Sequence, residues 1–287
     1  MKFSRAFCWF DYKTVVVSGA SSGIGKGIVT KLIREFGCNV IGIARNEGKI
    51  LEVKRSLGIF ADKFTYRLFD VSKRECWKEF ADYLVENDIH PSLVINCAGI
   101  LPKFDKFEHY SIEYVEHAMN INFYSCVYSM HYMLPVLMDA EDPGLVNVAS
   151  SAALCTLAGT SVYSASKSAL KSLTEAVREE TRGRCYIGLV CPGFTKTNIF
   201  ANQGADAAPD DDWTQKALNL VSTSCDKMVD AIVDGIWKKK RTNMVYGFDA
   251  HLMNIGNKAV GVGVSFLSSK MLKATHMTMF ADVFSDD

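Results

Sequence analysis

The stretch Thr14-Val15-Val16-Val17-Ser18-Gly19-Ala20-Ser21-Ser22-Gly23-Ile24-Gly25 decides the fold. Residues 14–17 are a β-branched run that reads as a short buried strand. Glycines at 19, 23 and 25 then turn the chain, and apolar residues at Ile24, Ile28, Leu32 and Ile33 recur at helical spacing. Glycine lets a backbone turn sharply and approach a pyrophosphate. The N-terminus of the following helix supplies N–H donors and the positive end of a dipole. A strand, a Gly-rich turn and a helix in this order predict a dinucleotide site at the start of a parallel sheet.

Outward from this unit the same rhythm continues. Residues 40–44, 64–69, 93–96, 145–149, 185–190 and 243–246 read as strands. Between them 50–57, 112–138, 161–182 and 226–239 read as helices, and Ser72 with Glu75 reads as a capping box that opens another. Strands that alternate with helices need crossover connections, hence parallel pairing covered on both faces. The expected class is α/β, a Rossmann-like doubly wound parallel sheet of about seven strands with helices on both faces. Residues 1–287 are expected to form one dinucleotide-binding and catalytic domain, with an N-terminal extension at 1–11 and a C-terminal helical tail at 248–287. Both ends are too apolar to dangle in water: Phe3, Phe7, Trp9 and Phe10 lie in one, and Met253, Met271, Met277, Met279, Phe280 and Phe284 in the other. Residues 200–213, rich in Gly, Ala, Pro and Asp, break the rhythm and are expected to form a functional loop.

Composition narrows the function classes. The chain has 287 residues with 32 Lys plus Arg and 32 Asp plus Glu. A neutral chain gives no electrostatic reason to expect nucleic acid or an anionic membrane as the main partner. Nine Cys without CxxC spacing, and six His without HxxxH or HExxH spacing, point to buried thiols in a reducing compartment and to no metal. The apolar stretch at 6–10 ends at Asp11, too short for a signal peptide, and no run approaches the ~18 apolar residues of a membrane span. A cytoplasmic protein is the expectation.

A second motif lies in the helix after the fifth strand: Tyr163-Ser164-Ala165-Ser166-Lys167. Tyr and Lys at i and i+4 stand about 40° apart around the axis, on one face. The plain alternative is a ring packed over a lysine stem. Ser150, however, ends the fifth strand, thirteen residues before Tyr163. Ligands of a doubly wound sheet bind at the carboxyl ends of its strands, so Ser150 and this helix are expected to meet at one crevice.

With these residues the chain resembles the short-chain dehydrogenase/reductase family, in its single-domain NAD(P)-dependent, hydroxysteroid-dehydrogenase-like branch. The Gly-rich turn is similar to the family's TGxxxGxG, with Ser18 in place of Thr. Asn96-Cys97-Ala98-Gly99 is similar to NNAG, with Cys97 in place of the second Asn. Asp70-Val71 resembles the acidic position at the adenine, Asn122 the catalytic Asn, Asn147-Val148-Ala149-Ser150 the strand that delivers the catalytic Ser, and Cys191-Pro192-Gly193-Phe194-Thr195-Lys196-Thr197 the PGxxxT turn over the nicotinamide.

The resemblance implies that Ser150, Tyr163, Lys167 and Asn122 are catalytic. Gly19, Ser21, Ser22, Gly23, Ile24, Gly25, Arg45, Asp70, Val71, Asn96, Ala98, Gly99, Tyr163, Lys167, Pro192, Gly193, Thr195 and Thr197 are expected to bind the cofactor. A free phenol is a poor base at neutral pH. Lys167 beside Tyr163 would stabilise the phenolate, Ser150 would hold the substrate oxygen, and Asn122 would hold a water that relays protons from Lys167. After the second strand, Ala44-Arg45 stands where an NAD site usually carries an acidic residue, and a guanidinium suits a 2′-phosphate. NADP is therefore expected, with NAD possible.

Ile100, Leu101, Phe104, Leu154, Thr156, Leu157, Phe194, Ile199, Phe200 and Trp213 are expected to form a large apolar pocket for a hydrophobic small molecule such as a steroid or bile acid. Reduction of a 3-oxoacyl or small carbonyl substrate is the alternative. A carrier-bound acyl group would call for a basic docking patch, whereas the expected rim carries Asp139, Glu141, Asp142, Asp206 and Asp210 to Asp212. A non-catalytic dinucleotide-binding regulator would need neither Ser150 nor the Tyr–Lys pair. Finally, Tyr124, Tyr128 and Tyr132 form an aromatic stripe, opposite a face of Met119, Phe123, Val127, Met130 and Leu134 expected to meet the sheet. Two apolar faces on one helix, with the resemblance, imply a homodimer or homotetramer.

Overall fold

Aliphatic runs buried on both faces build the sheet of the computed structural model, which describes residues 8–197, 222–238, 243–260, 263–275 and 281–284. The strands are β1 (Thr14–Ser18), β2 (Asn39–Ala44), β3 (Phe64–Leu68), β4 (Leu93–Asn96), β5 (Gly144–Val148), β6 (Tyr186–Pro192), β7 (Thr195–Lys196), β8 (Thr223–Ser224) and β9 (Asn243–Tyr246). The helices are α1 (Gly23–Phe36), α2 (Glu47–Ser56), α3 (Arg74–Glu86), α4 (Ile112–Met119), α5 (Ser125–Leu137), α6 (Ser161–Glu180), α7 (Cys225–Trp237), α8 (Phe248–Val260), α9 (Gly263–Thr275) and α10 (Ala281–Phe284).

The main sheet has seven parallel strands in the order β3-β2-β1-β4-β5-β6-β9, and β7 and β8 make a separate short pair. Val15 pairs with Val40 on one side and Leu93 on the other. The winding therefore reverses between β1 and β4, and a crevice opens at the carboxyl ends there. Helices α1 and α7 cover one face through Ile28, Leu32, Phe36, Ile232 and Ile236. Helices α3 and α5 cover the other through Trp77, Phe80, Met130 and Met133. Trp77 is fully buried and donates its indole N–H to the Val71 carbonyl at 2.9 Å, which ties α3 to the chain leaving β3.

The apolar N-terminal extension docks where it is described. Phe10 is fully buried against Phe36, and Trp9 packs on Tyr186 and donates to the Ile236 carbonyl at 3.2 Å. Phe3, Phe7, residues 200–213, Met277, Met279 and Phe280 lie outside the described residues.

Three expectations are corrected. The Ser72 capping box does not form: α3 starts at Arg74, its cap residue Lys73 makes no side-chain cap bond, and Ser72 instead donates to the Asp70 carboxylate at 2.9 Å. The stretch at 112–138 is not one regular helix, because a π turn at Asn120–Tyr124 separates α4 from α5. Asp139, Glu141 and Asp142 are not on the pocket rim. They precede β5, at the amino ends of the strands, where Glu141 pairs with Lys13 at 3.2 Å. The other rim acids, Asp206 and Asp210 to Asp212, fall outside the described residues.

Candidate active site

The cleft lies at the carboxyl ends of β1, β4, β5 and β6. Its floor depends on two glycines. Gly19 has φ +69°, and a Cβ there would meet the Ala98 backbone at 2.9 Å. A Cβ on Gly25 would come within 2.3 Å of the Gly19 carbonyl oxygen, so α1 approaches the turn more closely than any side chain permits. Ser18 Oγ accepts from the N–H groups of Cys97 and Ala98 at 3.2 and 3.3 Å, joining the two loops that leave β1 and β4. Ser22 precedes α1 and makes no side-chain cap bond, which leaves the first-turn N–H groups to a ligand.

Ser150 follows β5 at 9% exposure and accepts from Ala152 N at 3.2 Å. Tyr163 and Lys167 face the same cleft from the first turns of α6. Lys167 is buried, its Nζ donates to the Val148 carbonyl at 3.2 Å, and it stands 5.9 Å from the centre of the Tyr163 ring. The ammonium is thus held by strand β5 rather than by a carboxylate, and its charge is directed at the site.

Asn122 sits on the π turn, fully buried. Its side chain accepts from Ile100 N at 2.8 Å and donates to the Ile100 carbonyl at 2.9 Å. A π turn shifts the helical register by one residue, and such turns gather at functional sites. A Cβ on Gly99 would meet Asn122 Oδ1 at 3.2 Å and Lys167 Nζ at 3.3 Å, so the two groups flank the same glycine.

Of the expected cofactor residues, Gly19, Ser22, Gly23, Ile24, Gly25, Ala98, Gly99, Tyr163, Lys167, Pro192, Gly193, Thr195 and Thr197 line this cleft. An adjoining hollow takes Ser21, Arg45 and Val71, together with Asn46 and Lys49. Asp70 stands beside it. Burial opposes its charge, but two hydrogen bonds from Ser72 and the nearby Arg45 guanidinium hold its carboxyl below the usual carboxylate range.

Asn96 departs from its expected role. It is 2% exposed, lines neither hollow and donates to Asn147 Oδ1 at 2.8 Å, while Asn147 donates to Thr174 Oγ1 at 2.9 Å. It is a strut between β4, β5 and α6 beneath the cleft. Cys97 lines the cleft, and burial pushes its thiol up to about 12 despite the nearby Lys167. All nine cysteines are free.

Ile100, Leu101, Phe104, Leu157 and Phe194 line the cleft, but Leu154 and Thr156 do not, and Cys155 takes that edge. Ile199, Phe200 and Trp213 lie outside the described residues. Lys49 and Asp249 also stand at the site without having been singled out in the sequence, where Met253 is named only as part of the apolar tail. Lys49 is placed by the start of α2, where Asn46 Oδ1 accepts from Lys49 N at 2.9 Å. Met253, from α8, reaches the cleft. Asp249, 8% exposed, accepts from Phe194 N at 2.8 Å and so fixes the turn after β6. Only a Lys one turn past Arg45 could have been found from spacing; the other two come from a tail without a fold signature.

The residues present fit a dinucleotide. The Gly19 and Gly25 cradle is one a Cβ would fill, a helix N-terminus faces it, and cations stand at the far hollow. A family model described as short chain dehydrogenase matches residues 13–208. The chain is 31% identical over 191 residues to 3beta-hydroxysteroid dehydrogenase 2 of Eggerthella lenta, covering 65% of this chain and 72% of that one. It is 30% identical to cyclohexanol dehydrogenase of an Acinetobacter species, covering 67% and 76%. In fold it is similar to a short-chain dehydrogenase from Streptomyces avermitilis, with TM-score 0.74 and 22% identity over 92% of this chain and 98% of that one. A Shigella flexneri chain crystallised with NADP gives TM-score 0.70 and 22% identity, covering 82% and 97%.

Proposed function

The chain belongs to the short-chain dehydrogenase family, whose members are NAD(P)-dependent alcohol/ketone oxidoreductases, and from that premise we propose that it interconverts a secondary alcohol and a ketone on an apolar substrate, with NADP(H) as the preferred cofactor. The observation that carries this reading is the meeting of Ser150, Tyr163 and Lys167 in one cleft beside the Gly19–Gly25 turn. A hydroxysteroid or similar ring alcohol is the substrate class best matched by Ile100, Leu101, Phe104, Leu157 and Phe194, and it agrees with the named activity of the Eggerthella relative.

When bound, the nicotinamide supplies or takes the hydride. Gly19 to Gly25 and the first turn of α1 would hold the pyrophosphate, and Arg45 with Lys49 the 2′-phosphate. Ser150 Oγ donates to the substrate oxygen and fixes its direction. Tyr163 Oη gives a proton to that oxygen in reduction and takes it in oxidation. Lys167, anchored on Val148, stabilises the phenolate that forms, and Asn122 keeps the Gly99-Ile100 loop in register over Lys167.

The test is absorbance at the nicotinamide band with NADPH and a panel of steroids, bile acids, small cyclic ketones and acyl thioesters. Turnover is expected on the ring ketones. Tight NADPH binding without turnover on any of them would favour a dinucleotide-binding regulator instead.

A further inference from the structure

Among the described residues, five of the twelve large apolar side chains that stand out in solvent fall within 248–267. Phe248, Leu252, Ile255, Phe266 and Leu267 are each between 59% and 77% exposed. Positions 248, 252 and 255 follow the i, i+4, i+7 spacing, so on α8 they form one narrow stripe. Helix α9 packs against α8 and adds Phe266 and Leu267. Single exposed apolar residues need no explanation; a concentration of this kind does.

On its inner side α8 reaches the mouth of the cleft, and α9 packs on the loop beside the cleft. Met253 lines it, Ser265 shares a hydrogen bond with Thr156 at 3.1 Å, and Ser269 Oγ accepts from Ala158 N at 3.4 Å. Helix α10 closes the arrangement with Asp282 on Lys103 at 2.7 Å. The exposed stripe is therefore the outer surface of the entrance.

Charge identifies what covers it. From Ala250 to Ala281 the sequence holds no Asp or Glu, but it holds Lys258, Lys270 and Lys273. All three lysines are exposed. Lys270 Nζ stands 4.7 Å from the Phe266 ring centre, so cation and apolar surface adjoin. A net charge of zero for the whole chain conceals this asymmetry. A second copy of the same face would bring lysine against lysine, which is repulsive, and lysine is depleted from protein interfaces. An anionic lipid surface accepts both components at once: apolar side chains at the acyl boundary and ammonium groups at the phosphates. No helix among the described residues is long and apolar enough to cross a membrane, so the contact is one of lying on the surface.

We propose that the outer face of α8 and α9 docks on an anionic bilayer, with Phe248, Leu252, Ile255, Phe266 and Leu267 at the acyl boundary and Lys258, Lys270 and Lys273 over the headgroups.

Co-sedimentation of the full chain with vesicles tests it, comparing phosphatidylcholine alone with an equal mixture of phosphatidylcholine and phosphatidylserine, at low and high salt. Binding is expected to the mixed vesicles and to weaken with salt. The triple change Lys258→Gln, Lys270→Gln, Lys273→Gln is expected to weaken it on the order of a hundredfold. Leu252→Glu with Ile255→Glu is expected to abolish it while leaving turnover of a water-soluble ketone unchanged, since neither side chain touches the cleft. No binding to the mixed vesicles overturns the proposal, as does equal binding to both kinds. A wild-type chain that ignores vesicles, but self-associates until Leu252→Glu dissociates it, assigns the face to a second copy and overturns the proposal too.

Discussion

Tyr163 and Lys167 share one helix face, yet the chemistry asks different things of them. Tyr163→Phe keeps the ring and removes the proton carrier. It is expected to lower kcat on the order of a hundred- to ten-thousandfold with NADPH affinity nearly unchanged, as read by steady-state kinetics and fluorescence titration. Wild-type kcat in that variant would remove Tyr163 from the mechanism. Arg45 belongs to the far hollow, beside Lys49 and close enough to lower the Asp70 carboxyl. Arg45→Asp is expected to shift the ratio of NADP to NAD affinity by about ten- to a hundredfold, roughly 1.5–3 kcal/mol. An unchanged ratio would mean that the guanidinium does not meet the 2′-phosphate. In the sequence these residues stood out through their resemblance to the family's motifs, and the structure brings Tyr163 and Lys167 to one cleft and Arg45 to the hollow beside it. Asn96 shows the limit: it sits at a strand end, but its side chain faces Asn147 and the strut beneath the cleft, and alternation along a strand buried on both faces does not say which face a polar residue serves.

At the scale of elements, the turn after β6 is held from outside the core fold. Asp249, the second residue of α8, takes the Phe194 N–H, so a tail that no strand–helix rhythm predicts fixes one wall of the cleft. Burial pushes its carboxyl above the usual carboxylate range, although the Phe194 N–H favours the charged form. Its folded pKa therefore exceeds its unfolded one. The stability it contributes is full below the unfolded value and is lost as pH rises through the folded one. Asp249→Asn cannot ionise. The melting temperature of this variant minus that of the wild type is expected to rise as pH increases from about 4 through the raised folded value, read by scanning calorimetry. A flat difference would mean that the carboxyl is not destabilised by its burial. The rhythm of strands and helices was readable because period alone specifies it. The π turn, the failed cap at Ser72 and the Asp249 tie were not, since each depends on a partner distant in sequence or on a backbone irregularity that leaves the apolar pattern intact.

For the whole molecule the question is which surfaces of the central helices remain for another subunit. Helix α5 turns Cys126, Ser129, Met130, Met133, Val136 and Leu137 inward, so Met130 does meet the core. Val127 and Leu134, expected beside it, are only half-buried, as are Tyr128 and Tyr132. Tyr128 and Tyr132 both pack toward the α3 side of the core, which takes two of the three rings of the aromatic stripe partly within the subunit. Tyr124 is 42% exposed and stacks on Tyr128 with ring centres 6.0 Å apart. Across α6, Ala165, Ser172 and Ala176 are exposed at helical spacing, and small residues let a second helix approach closely. Tyr124 and Tyr128 facing such a surface would supply large apolar areas to a symmetric interface. The expected outcome is a homodimer or homotetramer at micromolar concentration by sedimentation velocity. Tyr128→Glu is expected to shift it toward monomer, because a carboxylate would be carried into an apolar contact without a partner. The vesicle-docking face on α8 and α9 is separate in sequence, so Leu252→Glu is expected to leave the subunit count unchanged. A monomeric wild type would dispose of the interface, and an oligomer indifferent to Tyr128→Glu would place it on another surface.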